Sequence, residues 1–205
     1  MIKTTAILLK ELNDYANPLA KISLMIRKKE LFPLIRGLYE TDPKVPGHYL
    51  ASSIYGPSYL SFEFALAHHG LIPETVFKYT SATYHKRRRK MFITPFGVFT
   101  YRDVPKRVFS LETRLVQEQG YSYILATPEK AICDLIYTLE PCGNQKEFLS
   151  VLFDFYRIDE QQFLALNSTT LIQLANLYKT RNHRHLVAYL SKENKRRGNS
   201  ASTND

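Results

Sequence analysis

The sequence has 205 residues, of which 44% are apolar, and a net charge of +9. That length and apolar content allow one large or two small domains with a buried core, and the lack of any run of eighteen apolar residues argues against a transmembrane helix. The positive charge is concentrated: residues 84–107 hold eight Lys/Arg against one acid, and residues 179–198 hold seven against one. Such segments favour a polyanionic partner, and nucleic acid is the commonest one.

Two helices are predicted at the start of the chain. Apolar residues from Ile2 to Leu12 recur at helical spacing and predict a helix over residues 2–14. Asn17-Pro18 is typical of a helix start, with Asn as the N-cap, and predicts a second helix that runs to about Lys29. The side of this second helix that is predicted to face the core holds Leu19, Ile22 and Ile26, with Met25 beside them. The opposite side holds Asn17, Lys21, Leu24 and Lys28, flanked by Arg27.

A small β-hairpin is predicted directly after the second helix. Two β-type runs within residues 31–39 meet at Arg36-Gly37, and Pro33 confines its strand to a sheet edge. Two helices followed by such a hairpin are the outline of a winged helix-turn-helix. The stretch from Asp42 to Gly47 is typical of a linker, so a domain boundary is predicted at residue 45.

The rest of the chain predicts a mixture of helices and strands. Helices are expected over residues 49–55, after a capping Ser61 as far as Gly70, after Thr127-Pro128, and over most of the sequence to Leu190. Strands are expected at residues 76–84, 91–94, 98–101 and 121–126.

The predicted fold class is α+β, in three parts. Residues 1–45 form the winged helix-turn-helix, which binds DNA. Residues 46–193 form a larger α+β domain with a small antiparallel sheet and a helical C-terminus. Residues 194–205 form a basic, polar and disordered tail.

The first candidate site is the exposed face of the second helix together with the hairpin. A helix fits the major groove, where Asn can pair with adenine, Lys with guanine or phosphate, and Leu with a thymine methyl group. Arg36, at the hairpin turn, would reach a phosphate or the minor groove. The predicted DNA-binding residues are Asn17, Lys21, Leu24, Arg27, Lys28, Lys29 and Arg36. The alternative is that these cations form an ordinary solvated helix face.

The second candidate site is a run of five cations between two predicted strands: Lys86, Arg87, Arg88, Arg89 and Lys90. Its position predicts a hairpin tip. Like charges separated by about 4–8 Å repel one another, so such a turn needs solvent or an anion. The DNA backbone, RNA or an acidic partner protein could bind it, and a merely solvated loop is the alternative.

No catalytic, cofactor or metal site is predicted. His68 and His69 diverge on a helix, no Cys/His set has zinc spacing, and glycine-rich phosphate loops are absent from the sequence. Lys130 and Asp134, four residues apart, predict a surface ion pair. Two cysteines and the lack of a signal peptide indicate the reducing cytoplasm.

Five motifs, in this order, resemble the AbiEi-type antitoxins of type IV toxin–antitoxin systems. The first three, at residues 21–23, 26–31 and 36–39, resemble that family's N-terminal winged helix. The fourth covers Ser58-Tyr59-Leu60-Ser61-Phe62-Glu63 and continues to Glu74. The fifth combines Thr94-Pro95-Phe96-Gly97 with Thr127-Pro128-Glu129-Lys130-Ala131 and Asp134-Leu135. The resemblance covers residues 18–140 well and the C-terminal part loosely.

The resemblance implies a cytoplasmic, non-enzymatic autoregulator with no membrane partner. Its N-terminal domain would bind operator DNA, with inverted repeats expected. Its C-terminal domain would counteract a nucleotidyltransferase-like toxin, functionally if not through a stable complex. The cations at residues 86–90 are more numerous than the family pattern implies, and they would either extend the DNA footprint or serve the antitoxin function. A nuclease, or an RNA-binding module built on those cations and the aromatic strands, is the alternative function.

Overall fold

The structure is a computed structural model that describes the backbone of residues 1–201 and the side chains of residues 1–197. Its N-terminal part contains strand β1 (Ile2–Thr4), helices α1 (Thr5–Glu11) and α2 (Pro18–Arg27), and strands β2 (Phe32–Ile35) and β3 (Leu38–Glu40). The predicted second helix and the hairpin are therefore confirmed. Within the described residues, no helix is both long enough and apolar enough to cross a membrane.

The first predicted helix begins too early. Residues 2–4 form β1 instead, which pairs antiparallel with β3, so that β3 lies between β1 and β2 in a three-stranded sheet. The helix starts after Thr4, whose side chain accepts a hydrogen bond from the Ile7 amide at 3.3 Å. Thr4 is thus an N-cap with an extended backbone, which ends the strand and begins the helix.

The N-terminal part has a small core of its own. Leu8 of α1, Ile22 of α2 and Leu31 are buried together, with Met25 and Ile26 packed against them. Leu19 does not belong to this core: its side chain is 60% exposed, so the sequence prediction for it is wrong.

The segment between the two parts is anchored by packing. Val45, inside the predicted linker Asp42–Gly47, is buried in the main core, as is Leu34 of β2. Phe32 of β2 also packs edge-to-face against Phe96, with ring centroids 6.2 Å apart. The N-terminal part therefore rests on the rest of the chain, as expected for a unit of only about 45 residues.

The second part alternates strands and helices. Its strands are β4 (Tyr59–Leu60), β5 (Lys78–Thr83), β6 (Lys90–Thr94), β7 (Gly97–Asp103), β8 (Thr113–Glu118) and β9 (Tyr121–Ala126). Its α-helices are α3 (Ala51–Ile54), α4 (Phe62–His68), α5 (Pro128–Tyr137), α6 (Gln145–Ser150), α7 (Glu160–Ala165), α8 (Ser168–Tyr178) and α9 (Arg181–Ala201). Short 3₁₀ turns lie at Gly47–Leu50 and Lys106–Val108, and a π-helical turn lies at Val151–Phe155.

The large sheet is mixed rather than antiparallel. Its strand order is β6-β7-β5-β4-β9-β8, in which β5 pairs parallel with β7, and β4 pairs parallel with β9. The predicted small antiparallel sheet is therefore wrong for this domain. Within the described residues, β4 and β8 are the strands that the sequence analysis missed here, since the short β4 and the polar, exposed β8 give a weak alternation signal.

Helix α5 is the centre of the helical layer. Residues 130–136 are all buried, and the helix contacts α4, α8, α9 and β9. Thr127 and Asn167 accept the N-cap hydrogen bonds of α5 and α8, and the start of α5 after Thr127 was predicted. Helix α9 continues through Ala201, so residues 194–201 of the predicted disordered tail are helical. Residues 202–205 lie outside the described residues.

Candidate nucleic-acid interface

The solvent-facing side of α2 differs from the predicted one. Ala20, Ser23 and Arg27 are exposed, as is Leu19. Of the predicted face, Lys21 and Leu24 are half-buried. The face that could enter a groove is therefore rotated from Lys21 and Leu24 towards Ser23 and Arg27, two positions that lie four residues apart and hence on one side of the helix.

Lys21 and Asn17 already have partners in the structure. The Lys21 ammonium lies over the Tyr15 ring, 4.8 Å from its centroid. The side-chain amide oxygen of Asn17, Oδ1, accepts a hydrogen bond from the Ala20 backbone amide at 3.0 Å and so caps α2. A bidentate pair with adenine needs that same oxygen, so direct base reading by Asn17 would compete with the cap.

Four exposed cations lie close together in the sequence, three at the end of α2 and one at the hairpin turn. They are Arg27, Lys28, Lys29 and Arg36. Within residues 1–197, none of them forms an ion pair. Gly37, at a φ of +82°, makes the tight turn that follows Arg36 and leaves that side chain exposed. These four cations can therefore neutralise a polyanion without first breaking an internal contact.

The five-cation segment, residues 86–90, is not a hairpin tip. Strands β5 and β6 are not neighbours, because β7 lies between them and pairs with both. The segment therefore crosses over the end of β7, and Lys90 begins β6. We refer to residues 84–90 as the basic crossover.

The basic crossover is held by Asp103, the last residue of β7. One Asp103 carboxylate oxygen accepts hydrogen bonds from the backbone amides of Lys86 at 2.8 Å and Arg87 at 2.7 Å. The other oxygen accepts from the Thr83 hydroxyl at 2.6 Å. His85 and Arg87 have φ values of 57° and 58°, a left-handed conformation that such residues adopt at a cost of about 1–2 kcal/mol each. The crossover is thus an ordered turn.

The cations of the crossover fall into two groups. Lys86 is half-buried, with its ammonium 3.0 Å from the Gly56 carbonyl oxygen and 4.9 Å from the centroid of the Tyr55 ring. Arg87, Arg88, Arg89 and Lys90 are exposed. The crossover therefore presents four cations to solvent rather than the five predicted.

Two arginines of the basic C-terminal segment help to pack the helices together. Arg181 donates to the Gly143 carbonyl at 2.6 Å, and Arg197 donates to the Leu164 carbonyl at 2.9 Å. Arg107 donates to the Tyr178 carbonyl at 3.1 Å, at the C-terminal end of α8, where a cation is favourable. Part of the positive charge over residues 179–198 thus has a structural explanation, while Lys179, Arg184, Lys192 and Lys195 are exposed.

Lys130 and Asp134 form a buried pair, and the predicted surface pair is wrong. Both side chains are fully buried, and the ammonium lies 3.0 Å from the carboxylate. The carboxylate also accepts hydrogen bonds from the hydroxyls of Tyr59 at 2.8 Å, Ser61 at 2.6 Å and Tyr178. Burial first, and then the Asp134 charge, raise the pKa of Tyr59 and of Tyr178 well above the usual tyrosine value. We call these five residues the buried polar network.

Two of the motifs found in the sequence meet in this network. Ser61 precedes α4, but its hydroxyl binds Asp134 instead of capping the helix as predicted. The Ser58–Ser61 motif on β4 and the Thr127–Asp134 motif on α5 are thereby joined. A sequence pattern alone could not reveal this contact, because the partners are more than seventy residues apart.

His183 is a buried residue of the helical layer, with both ring nitrogens within hydrogen-bond distance of a partner. His183 is buried against Tyr178, with its ring nitrogens 3.0 Å from the Cys133 carbonyl oxygen and 2.7 Å from the Thr180 hydroxyl. Burial lowers the pKa of His183 to about 4. Among the described residues, no group of three or more His, Cys, Asp and Glu side chains could hold a metal ion.

No family model matches the chain, and no curated protein matches it in sequence. Function is therefore inferred from the geometry of the site and from the motifs.

Proposed function

We propose that this protein is a DNA-binding repressor of the AbiEi antitoxin kind, which binds its own operator and counteracts a nucleotidyltransferase-like toxin. The observation that carries the DNA-binding half is the group of four exposed, unpaired cations at the end of α2 and at the hairpin turn. Within the described side chains, these cations have no internal carboxylate to neutralise them, and a helix beside a basic hairpin suits a groove with flanking phosphates.

The contact with bases is assigned to the exposed side of α2. Ser23 and Arg27 replace Lys21 and Leu24 as the leading candidates for base reading, because the latter two are half-buried. Arg can make a bidentate contact to guanine, and the Ser23 hydroxyl, which donates to the Leu19 carbonyl at 3.1 Å, can still accept a hydrogen bond from a base. Lys28, Lys29 and Arg36 are assigned to phosphates, which position the protein without reading sequence.

The antitoxin half of the proposal depends on the resemblance. The residues of two of its motifs, Tyr59, Ser61, Lys130 and Asp134, are fully or almost fully buried. They hold the core together and cannot contact a toxin in the folded protein. A toxin-directed surface would have to be sought among exposed residues, and the basic crossover is one candidate.

Operator binding can be tested with the intact chain and DNA from upstream of its own gene. Arg27→Ala should cost about 1–3 kcal/mol in operator affinity if the contact to a base is direct. Arg36→Ala should weaken binding to all sequences alike and reduce the slope of log affinity against log salt by about one unit. Arg184→Ala is the matched control, since Arg184 is an exposed arginine of α9.

Equal affinities for wild type, Arg27→Ala and Arg184→Ala would reject the α2 assignment. Asn17→Ala is a poorer probe, because loss of the cap would destabilise α2 by about 1 kcal/mol whether or not Asn17 touches DNA. Truncation before residue 47 is also ambiguous, since it would remove Leu34 and Val45 from the main core.

The antitoxin half has a separate test in cells. The gene should lie beside one for a nucleotidyltransferase-like toxin, and co-expression of the two should restore growth. Arg27→Ala should weaken repression and leave protection intact, since α2 is assigned to DNA. A folded wild-type protein that fails to protect would reject the antitoxin half, whatever the result with operator DNA.

A further inference from the structure

The outer face of the large sheet is left open beside the basic crossover. Alternate residues of β6 and β7 share this face, because Met91 pairs with Thr100 and Ile93 pairs with Val98. Met91 is 61% exposed and Ile93 is 76% exposed. Neighbouring exposed apolar side chains on one sheet face indicate a surface that binds a ligand or a partner.

A cavity of about 550 Å³ lies on this face and has both apolar and cationic walls. Phe77, which is 85% exposed, and Met91 provide apolar surface. Lys78, Arg89 and Lys90 provide positive charge. Glu63 is the one acid among the lining residues, and it is paired with Arg102, so the cavity keeps a net positive charge.

A second cavity, of about 490 Å³, adjoins the first. Arg87 and Arg88 line it, and Arg89 and Arg102 line both cavities. The arginines of the crossover therefore follow one another from the apolar cavity into a more polar one. Asp103 holds the crossover in this path by binding its backbone amides.

We propose that these two cavities form a binding site for a single strand of nucleic acid. An unpaired base would stack against Phe77 and Met91, and successive phosphates would lie along Arg89, Arg88 and Arg87. Single-strand sites combine aromatic side chains, on which bases stack, with a basic groove that follows the backbone. A double helix keeps its bases stacked inside, so it could not use the apolar cavity.

The proposal does not rest on operator binding. The basic crossover lies at one end of β6 and β7, whereas the turn that holds Phe96 near the N-terminal part lies at the other end. Seven residues of extended strand separate the two ends by roughly 20 Å. The crossover arginines are therefore remote from the N-terminal part, whereas Phe77 lies towards the Phe96 end, since it precedes Lys78, which pairs with Val98. Charge variants at the two basic surfaces can be tested separately.

The test is an anisotropy titration of the full-length protein with a fluorescein-labelled oligouridylate of about eight nucleotides. Phe77→Ala should weaken binding by about fivefold or more, the effect expected when one stacking contact is lost. The matched control is Phe155→Ala, since Phe155 is 76% exposed and lines neither of the two cavities. That variant should bind like the wild type.

A salt series tests the path of the phosphates. The loss of one phosphate contact in Arg88→Ser should reduce the slope of log affinity against log salt by about 0.7 units, the value for single strands. Arg184→Ser, which removes the same charge from α9, should leave the slope unchanged. Arg27→Ala should also leave oligouridylate binding unchanged, which separates this site from the DNA surface on α2.

Three results would overturn the proposal. The first is no binding of the oligouridylate by the wild type. The second is equal binding by Phe77→Ala and Phe155→Ala, which would reduce the site to a nonspecific basic patch. The third is more effective competition by a DNA duplex than by an unlabelled single strand of equal charge. Unchanged circular dichroism and melting temperature establish that each variant is folded.

Discussion

Removal of one partner from the buried polar network should destabilise the protein far more than removal of an exposed ion pair. Lys130→Met keeps the length of the side chain but leaves the fully buried Asp134 without its counter-ion. Loss of one partner of a buried pair costs about 3–5 kcal/mol. The lower end of that range is expected here, because three hydroxyls still donate to the carboxylate.

Asp134→Leu should be more severe than Lys130→Met. It leaves the buried Lys130 ammonium without its counter-ion, and it also removes the acceptor of the Tyr59, Ser61 and Tyr178 hydroxyls. Each buried group left without a partner costs about 1–3 kcal/mol, so the total should reach or exceed about 5 kcal/mol. Since whole proteins of this size are stable by about 5–15 kcal/mol, this variant is expected to fold poorly.

Urea unfolding followed by circular dichroism measures these differences. Arg157→Met is the control, since Arg157 is 64% exposed and its pair with Glu74 should be worth no more than about 1 kcal/mol. Asp134→Asn, which keeps an acceptor oxygen, gives an intermediate case if Asp134→Leu does not fold. A free energy of unfolding for Lys130→Met within about 1 kcal/mol of that for Arg157→Met would refute the reasoning.

Three further predictions concern stability. Burial lowers the pKa of His183 from 6.5 to about 4, so the unfolded chain binds the proton more readily. The stability that depends on a neutral His183 is therefore complete above about pH 6.5 and is lost as the pH falls towards 4. Its size is roughly 3 kcal/mol. His183→Gln should flatten this part of the pH profile in urea unfolding, and an unchanged profile would contradict the assignment. Thr127→Ala should cost about 1 kcal/mol by removing the α5 cap, whereas Thr169→Ala, at an exposed position, should cost less in the same assay. Gly37→Ala should lower the melting temperature, since a φ of +82° costs a residue with a Cβ about 1 kcal/mol or more; an unchanged melting temperature would show that the turn relaxes freely.

Local signals predicted the elements that the chain specifies locally. Strand β9 was predicted over residues 121–126 and has those bounds in the structure. Helix α5 begins after Thr127, as its Thr-Pro-Glu start predicted. In both cases the decisive interactions lie within a few residues of one another, so that composition and capping are sufficient.

Contacts between residues that are distant in the sequence could not be predicted from local sequence signals. The β5–β7 pairing skips β6, so two strands that are consecutive in the sequence are not neighbours in the sheet. Lys130 and Asp134 have the spacing of a surface pair on a helix, and only the distant hydroxyls of Tyr59 and Tyr178 explain why both can be buried. The open sheet face beside Phe77 depends on the same strand order.

The rotation of the α2 face shows how packing changes a candidate site. Helix α1 has seven residues and α2 has ten, so α1 is about 5 Å shorter and cannot cover all of α2. Core contacts are made by Ile22 and by residues after it, whereas Leu19, in the first turn of α2, stays 60% exposed. An apolar side chain on the exposed side of the helix suits a thymine methyl group, the role first given to the half-buried Leu24. Replacement of operator thymines by uracil, which lacks that methyl group, should then weaken binding by the wild type but not by Leu19→Ala. Equal losses for both proteins would show that Leu19 does not contact a thymine.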